Sequence, residues 1–219
     1  MAIVSRVAIV TGAAQGIGLS IALRLADDGL DVAVNDTASK SEQLEDAVSR
    51  IRAKGRRAIA VLADVTQETQ VEDMVSQVVE QLGSLDMVAN AGVLVVQPLM
   101  EASAEDWDRV MAVNVRGIML CYKYAATQMV KQGRGGRIIG AAGFSAYCSS
   151  KFAVKGLTQT LELAEHNITV NAYAPGLINT SMGDAGPEVI ASIVSYLAKP
   201  ESYFITGQTI LVNGGVIFD

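Results

Sequence analysis

Short runs of β-branched residues alternate with longer segments along nearly the whole chain, and this alternation limits the folds open to it. The longer segments carry apolar residues at a helical period, as at Ile17, Ile21 and Leu25, and several of them stop at a glycine. Strands that alternate with helices predict right-handed βαβ units and an α/β fold, a mainly parallel, doubly wound sheet with helices on both faces. The predicted strands are 6–10, 31–35, 57–63, 85–90, 137–139, 168–172 and 209–212. The predicted helices are 17–28, 41–54, 71–82, one from a cap at Ser103 towards Met129, 147–165 and 189–197.

Composition narrows the class of protein. Half of the 219 residues are hydrophobic, which suits one compact domain over 1–219. A net charge of −6 disfavours a nucleic-acid surface, and no apolar run is long enough to span a bilayer. The two cysteines, Cys121 and Cys148, form neither a metal-binding spacing nor a disulfide framework, so we expect no metal site and a cytoplasmic protein. The single histidine, His166, is expected at the surface near a helix end rather than as a hydrolase base.

A glycine-rich stretch, TGAAQGIG, runs from Thr11 to Gly18 between the first predicted strand and the first predicted helix. Glycines permit a tight turn and a close approach of the backbone to a pyrophosphate, and the N–H groups at a helix N-terminus attract anions. The position therefore predicts a dinucleotide phosphate site, although the GxxxGxG spacing differs from the commoner GxGxxG and an ordinary glycine-rich turn is the alternative. The candidate cofactor-binding residues here are Gly12, Gln15, Gly16, Ile17 and Gly18.

Asp36 ends the second predicted strand, about twenty residues beyond the glycine-rich stretch. A carboxylate in this position accepts hydrogen bonds from an adenosine ribose and repels a 2′-phosphate. The sequence therefore favours NAD over NADP, while the nearby Lys40 keeps NADP open, and a surface aspartate that opens a turn is the alternative interpretation.

Further motifs follow the glycine-rich stretch in a fixed order along the chain. They are Asp64 with Val65, Asn90-Ala91-Gly92, Asn114 in MAVNVRG, Tyr147 with Lys151, and Pro175-Gly176 with Thr180. Together with Thr11 to Gly18, this order resembles the compact short-chain dehydrogenase/reductase family from Arg6 to about Asn213. The resemblance implies a Rossmann-like fold and an oxidoreductase.

The resemblance also implies roles for these residues. Asp64, expected at the end of the third strand with Val65 next to it, would face the adenine amino group. Asn90, Ala91 and Gly92 would let the cofactor ribose lie close to the backbone after the fourth strand. Asn114, expected mid-helix, would hold a water that relays protons, with a solvent-facing asparagine as the alternative. The segment after the sixth strand would hold the nicotinamide carboxamide, through Pro175, Gly176, Ile178 and Thr180.

Tyr147 and Lys151 are four residues apart, which places them on one face of a helix. A free tyrosine has a pKa near ~10, and a neighbouring ammonium lowers that value by favouring the phenolate. By resemblance the tuned phenol exchanges a proton with the substrate oxygen, and Lys151 also binds the nicotinamide ribose. The predicted catalytic residues are therefore Tyr147, Lys151 and Asn114; a core tyrosine beside a solvated lysine is the alternative.

The sequence departs from the family pattern where the substrate is expected. No serine can be assigned to the position after the fifth strand, where relatives polarise the substrate carbonyl, because Ser145 lies too close to Tyr147. The segments near 140–146 and 182–187 are short, and 160–163 is short by about half a helical turn.

The sequence is most similar to diacetyl/acetoin reductases, also called 2,3-butanediol dehydrogenases, which predicts a small ketone or secondary alcohol as substrate. A 3-oxoacyl-carrier-protein reductase, a sugar or polyol dehydrogenase and a non-catalytic dinucleotide-binding protein are the alternatives. Relatives form tetramers through the long helices that here contain Trp107 and Lys155, so the resemblance implies a homotetramer.

Overall fold

The computed structural model describes residues 5–89, 103–141, 146–160, 163–176 and 186–214, without the side chains of 88, 89, 141 and 146–151. The strands in these ranges are β1 Val7–Thr11, β2 Asp31–Asp36, β3 Ala58–Leu62, β4 Met87–Ala89, β5 Gly136–Ala141, β6 Ile168–Pro175 and β7 Thr209–Val212. They form one parallel sheet in the order β3-β2-β1-β4-β5-β6-β7. This confirms the predicted doubly wound fold.

Helices cover both faces of the sheet, as the alternating pattern predicts. They are α1 Gly16–Asp27, α2 Ser41–Ala53, α3 Glu68–Leu82, α4 Ala104–Met111, α5 Ile118–Gln132, α6 Ala146–Thr160 and α7 Glu188–Ala198. One core cluster joins the sheet to α1, α2 and α7, and a second joins it to α3, α5 and α6. None of the helices within the described ranges combines the length and the apolar character needed to cross a membrane.

The predicted long helix after Ser103 is interrupted in the structure. Ser103 caps α4 as predicted, since its hydroxyl accepts a hydrogen bond from the Asp106 N–H at 3.0 Å. Between α4 and α5, however, Ala112–Gly117 forms a π-helical turn. The prediction of one uninterrupted α-helix for this segment was therefore wrong. The π-helical turn contains Asn114, one of the predicted catalytic residues.

The amino ends of the strands carry a network of ion pairs. Asp31, at the start of β2, is buried and lies 2.7 Å from the Arg56 guanidinium and 2.8 Å from that of Arg57. Asp86, just before β4, accepts hydrogen bonds from the Val7 N–H at 2.9 Å and from Arg134 at 2.6 Å. The Asp31 pairs join the start of β2 to the segment before β3, and the Asp86 bonds join β1 and β4 to the segment before β5. Both lie at the end of the sheet opposite the glycine-rich turn.

Candidate functional site

The glycine-rich stretch forms a tight turn between β1 and α1. Gly12 and Gly16 have φ of +64° and +58°, a region that residues with a side chain rarely adopt. Gly18, in the first turn of α1, packs against this loop: a Cβ there would meet the Gly12 carbonyl oxygen far inside contact distance and lie 2.8 Å from the Gly12 carbonyl carbon. The glycines at 12, 16 and 18 are therefore required by the turn itself, and the turn leaves the N-terminus of α1 facing the carboxyl ends of the strands.

Asp36 is the last residue of β2, and its carboxylate is held beside the glycine-rich turn. One oxygen accepts a hydrogen bond from the Ala14 N–H at 3.3 Å, and the other accepts one from the Thr37 N–H at 2.9 Å. Both bonds come from backbone groups, so the negative charge is oriented without being neutralised. Lys40 follows in a 3₁₀ turn and lines the same cavity as Asp36.

Asn35 is a residue of this site that the sequence analysis missed. It lies in β2 next to Asp36, is buried, and its amide donates hydrogen bonds to the carbonyl oxygens of Val61 and Ala63 at 2.9 and 3.1 Å. Its own carbonyl accepts the Ala13 N–H at 3.0 Å. Asn35 therefore ties the glycine-rich turn to the end of β3. An amide inside the apolar run VAVND was the signal for it.

Asp64 lies two residues beyond β3 rather than at the end of that strand as predicted. Its carboxylate accepts the Thr66 N–H at 2.9 Å and the Thr66 hydroxyl at 2.8 Å, and this turn leads into α3. Val65 follows Asp64, and both line the same cavity as Asp36. The displacement follows from the local turn, because the chain must leave the sheet before α3 begins at Glu68.

The π-helical turn places Asn114 inside the protein, with no exposed surface, so the solvent-facing alternative is wrong. The turn is fastened to the segment after β3 at two points. Arg116 donates to the Thr66 carbonyl at 2.8 Å, and a Cβ at Gly117 would lie 2.8 Å from Cγ2 of Val65. π-Helical turns are often found at functional sites.

A cavity of about 450 Å³ lies at the carboxyl ends of β1, β2, β3 and β6 and collects most of the predicted cofactor residues. The predicted residues that line it are Gly12, Gln15, Gly16, Ile17, Gly18, Asp36, Asp64, Val65 and Pro175. Lining residues that the sequence analysis did not predict are Asn35, Thr37, Ala63, Val113 and Tyr173. The turn of glycines, the helix N-terminus and the Asp36 carboxylate are the groups that a dinucleotide site needs, so the cavity fits such a cofactor.

The remaining predicted residues are only partly located. Pro175 is the last residue of β6, and the Gly176 N–H donates to the Val212 carbonyl at 3.0 Å. Positions 147 and 151 lie in α6, but their side chains are outside the described part of the chain. Asn90, Ala91, Gly92, Ile178 and Thr180 also lie outside the described residues.

The single histidine and the acidic side chains are the other groups that could carry chemistry. His166 is exposed in a 3₁₀ turn, with its Nε2 atom 3.5 Å from Glu165, which agrees with the expected surface histidine. Within the described ranges, no cluster of three or more His, Cys, Asp or Glu side chains is arranged to hold a metal ion.

Comparison with known proteins assigns the chain to a family. Residues 6–188 match the family described as short chain dehydrogenase. A short-chain dehydrogenase/reductase of Armillaria gallica is 48% identical, with 98% of this chain and 97% of that protein covered. A 3-oxoacyl-[acyl-carrier-protein] reductase of Staphylococcus aureus is 41% identical over 95% of this chain and 97% of its own length. The L-2,3-butanediol dehydrogenase of Corynebacterium glutamicum is 36% identical, covering 98% and 100% respectively.

A solved structure of a dehydrogenase is also similar to this chain in both fold and sequence. The acetoin dehydrogenase of Enterobacter cloacae superposes with a TM-score of 0.89 at 34% identity, covering 98% of this chain and 96% of that one. The alignment with the Armillaria protein extends over 252 positions, whereas this chain has only 219 residues. That relative therefore carries residues that have no counterpart here.

Proposed function

This chain belongs to the short-chain dehydrogenase family and is an oxidoreductase of CH–OH groups, and we propose that it uses NAD(H) to interconvert a small ketone and a secondary alcohol. The observation that carries the cofactor proposal is the Asp36 carboxylate, held beside the glycine-rich turn by two backbone N–H groups. A ribose 2′-hydroxyl donates to such a carboxylate, while a 2′-phosphate is repelled by it.

The catalytic proposal assigns proton transfer to this chain and hydride transfer to the cofactor. Tyr147 donates a proton to the carbonyl oxygen or accepts one from the alcohol, and the Lys151 ammonium favours its phenolate form. Asn114, buried in the π-helical turn, relays protons towards Lys151. The nicotinamide, when bound, supplies or accepts the hydride.

The remaining proposed contacts belong to the nicotinamide half of the cofactor. Asn90, Ala91 and Gly92 would border its ribose, and the segment from Pro175 and Gly176 through Ile178 to Thr180 would hold its carboxamide. The family resemblance and the place of β4 and β6 in the sheet support these assignments.

The substrate proposal is diacetyl, acetoin or 2,3-butanediol. It is supported by the names of two similar proteins, a butanediol dehydrogenase and an acetoin dehydrogenase. The S. aureus relative keeps 3-oxoacyl-carrier-protein reduction as a second candidate, with sugars or polyols as a third. The missing carbonyl-polarising serine favours a further candidate, a protein that binds the dinucleotide without turning over a substrate.

Fluorescence titration with NADH and NADPH, followed by turnover assays with diacetyl, acetoin, butanediol, a 3-oxoacyl thioester and polyols, separates these candidates. We expect NADH to bind at least about tenfold more tightly than NADPH, the ratio that one gained charged hydrogen bond supplies. Cofactor binding without turnover of any substrate would favour the non-catalytic candidate. Turnover of the thioester alone would favour the carrier-protein reductase.

Asp36→Asn tests the cofactor proposal directly. Loss of the carboxylate charge removes the repulsion of a 2′-phosphate, so the preference for NADH over NADPH should narrow by about tenfold. Asp46→Asn is the matched control, because Asp46 is an exposed aspartate on α2 that pairs only with Arg50 among the described residues. An unchanged preference in Asp36→Asn would contradict the assignment of Asp36 to the ribose.

We also propose a homotetramer in the cytoplasm. The outer faces of the π-helical turn, α5 and α6 form an apolar groove that supports an interface between copies. It is lined by Met111, Ala112, Val115, Met119, Gly156 and Leu157, among others. Light scattering of the purified chain measures the assembly, and a monomeric mass would contradict it.

A further inference from the structure

The side chain of Tyr122 fills a niche where α5, β5 and α6 meet. Tyr122 lies on α5 and is 1% exposed. Within the described residues, neither its hydroxyl nor the buried Thr158 hydroxyl on α6 has a hydrogen-bond partner of ordinary geometry. Burial raises the pKa of the Tyr122 phenol, and the neighbouring Thr158 hydroxyl partly opposes that rise. Because poorly bonded buried hydroxyls cost free energy, stability alone does not explain a tyrosine here instead of a phenylalanine.

Gly140, on β5, forms the other side of this niche. A Cβ at this position would meet the Tyr122 hydroxyl oxygen far inside contact distance, and would lie 3.2 Å from Cζ of the same ring and 3.5 Å from Cγ1 of Val154. If residue 122 were phenylalanine, the nearest ring atom would be Cζ, and a shift of a few tenths of an ångström would relieve that contact. A Cβ at residue 140 therefore displaces the neighbouring groups unless residue 122 has lost its hydroxyl.

The part of α6 that contacts this niche shares a face with positions 147 and 151. Successive helical residues rotate by ~100°, so residues four, seven and eleven positions beyond 147 lie within about 40° of it. These are positions 151, 154 and 158, which share one face of α6 with position 147. The C-terminal part of this face is buried, at Val154 and Thr158. Because a helix moves as a rigid body, a rotation of α6 at Thr158 reaches position 147, about 16 Å along the helix.

We propose that Tyr122 is a positioning residue, whose hydroxyl, held between Gly140 and Thr158, sets the rotation of α6 and with it the placement of Tyr147 and Lys151. This inference rests on the proposed function, which gives those two residues the nicotinamide end of the cofactor. Tyr122 itself acts only through α6.

The two ends of the cofactor provide separate readouts. ADP tests the adenine end, which the glycine-rich turn, Asp36 and Asp64 would hold without α6. NADH tests both ends, and its nicotinamide fluorescence reports the surroundings of the ring beside α6. A displaced α6 should weaken NADH and reduce its fluorescence enhancement while ADP binding stays constant, whereas general loss of structure would weaken both ligands.

The experiment compares full-length wild type with Gly140→Ala, Tyr122→Phe and the double variant. We expect Gly140→Ala to raise the Kd for NADH about tenfold, well within the effect of a ~1 Å misplacement, with the Kd for ADP changed less than about twofold. The double variant should return the NADH Kd to within about threefold of wild type, because coupled neighbours are non-additive. Tyr124→Phe is the matched control, since Tyr124 lies on the same helix with its hydroxyl bonded to Glu68, and it should change neither ligand.

A second pair of variants keeps the test decisive if Gly140→Ala does not fold. Tyr122→Phe leaves the Thr158 hydroxyl buried alone, so combining it with Thr158→Val should bring NADH affinity closer to wild type than Tyr122→Phe by itself. Equal losses of NADH and ADP binding in the variants, or no rescue in either double variant, would overturn the positioning role. A wild-type chain that binds neither NADH nor ADP would overturn the proposed function instead.

Discussion

The two ends of the sheet use their acidic side chains in opposite ways. At the amino ends, Asp31 and Asp86 are buried and paired with arginines. At the carboxyl ends, Asp36 and Asp64 accept hydrogen bonds from backbone N–H and hydroxyl groups, and no described cation lies within ion-pair distance of either. Charge at the amino ends is neutralised within the fold, while charge at the carboxyl ends remains available to a ligand.

This difference predicts which property each substitution changes. A buried ion pair that loses one partner costs several kcal/mol of stability, whereas an oriented but unpaired carboxylate contributes little stability and much selectivity. Loss of a carboxylate charge at the carboxyl ends should therefore change ligand binding at constant stability, and loss of one at the amino ends should do the reverse.

Tyr147→Phe should produce the largest effect on turnover of all the variants at the carboxyl ends of the strands. Loss of the proposed proton carrier should lower kcat by about 10²–10⁴-fold, while the Kd for NADH and the melting temperature stay close to wild type. Stopped-flow or steady-state turnover with the best substrate of the panel measures kcat. A kcat near wild type would remove Tyr147 from proton transfer.

Gly18→Ala should weaken NADH binding by about 10²-fold, because the new Cβ displaces the Gly12 backbone, which would lie beneath the pyrophosphate in the proposed complex. Fluorescence titration measures the loss. Ser49→Ala is the control, since it also places an alanine at a helical position, and Ser49 is exposed on α2. Equal NADH affinity in Gly18→Ala and wild type would show that the turn does not hold the cofactor.

Asp86→Asn, at the amino ends of the strands, should lower stability and leave cofactor binding unchanged. Arg134 and the Val7 N–H lose a charged acceptor, so the free energy of unfolding should fall by about 3 kcal/mol. Urea denaturation measures this loss. The Kd for NADH in the folded fraction should stay within about twofold of wild type because the cavity is remote; a large change in Kd would make the division between the two ends wrong.

Asp31→Asn should have the smallest effect and a distinct pH dependence. Burial by itself would raise the pKa of Asp31, but hydrogen bonds from Arg57 and Ser5 and the charge of Arg56 bring the pKa below its ordinary value. The carboxylate therefore stabilises the fold above the ordinary aspartate pKa of ~4, and this contribution disappears as the pH falls through the lowered value.

At neutral pH we expect Asp31→Asn to lose about 2 kcal/mol. Melting curves between pH 2 and 8 should show the gap between variant and wild type closing only below about pH 4. A gap that stays constant down to the acid limit would mean that Asp31 does not contribute through its charge.

The part of the candidate site that lies within one stretch of the chain could be predicted from the order of residues in that stretch. The turn from Thr11 to Gly18 and the position of Asp36 depend on a strand, a turn and a helix that are adjacent in sequence. The predicted sheet and most helix positions are confirmed for the same reason.

Features that depend on distant packing were missed. The π-helical turn depends on Gly117 meeting Val65, more than fifty residues earlier, so a helical period alone gave an uninterrupted helix. The contact of Tyr122 with Gly140 likewise joins α5 to β5, and the hydrophobic pattern of neither element predicts which residue of the other it meets. The bonds of Asn35 to the end of β3 required the strand register.

The strand order has a consequence for how the chain is made. β1 lies between β2 and β4, and the Asp86 carboxylate that receives the Val7 N–H is 79 residues further along. During synthesis β1 can therefore pair only with β2 until β4 leaves the ribosome. Until then the edge of β1 that later pairs with β4 is exposed and can pair with other chains. Slow translation between residues 36 and 87 would prolong that exposure.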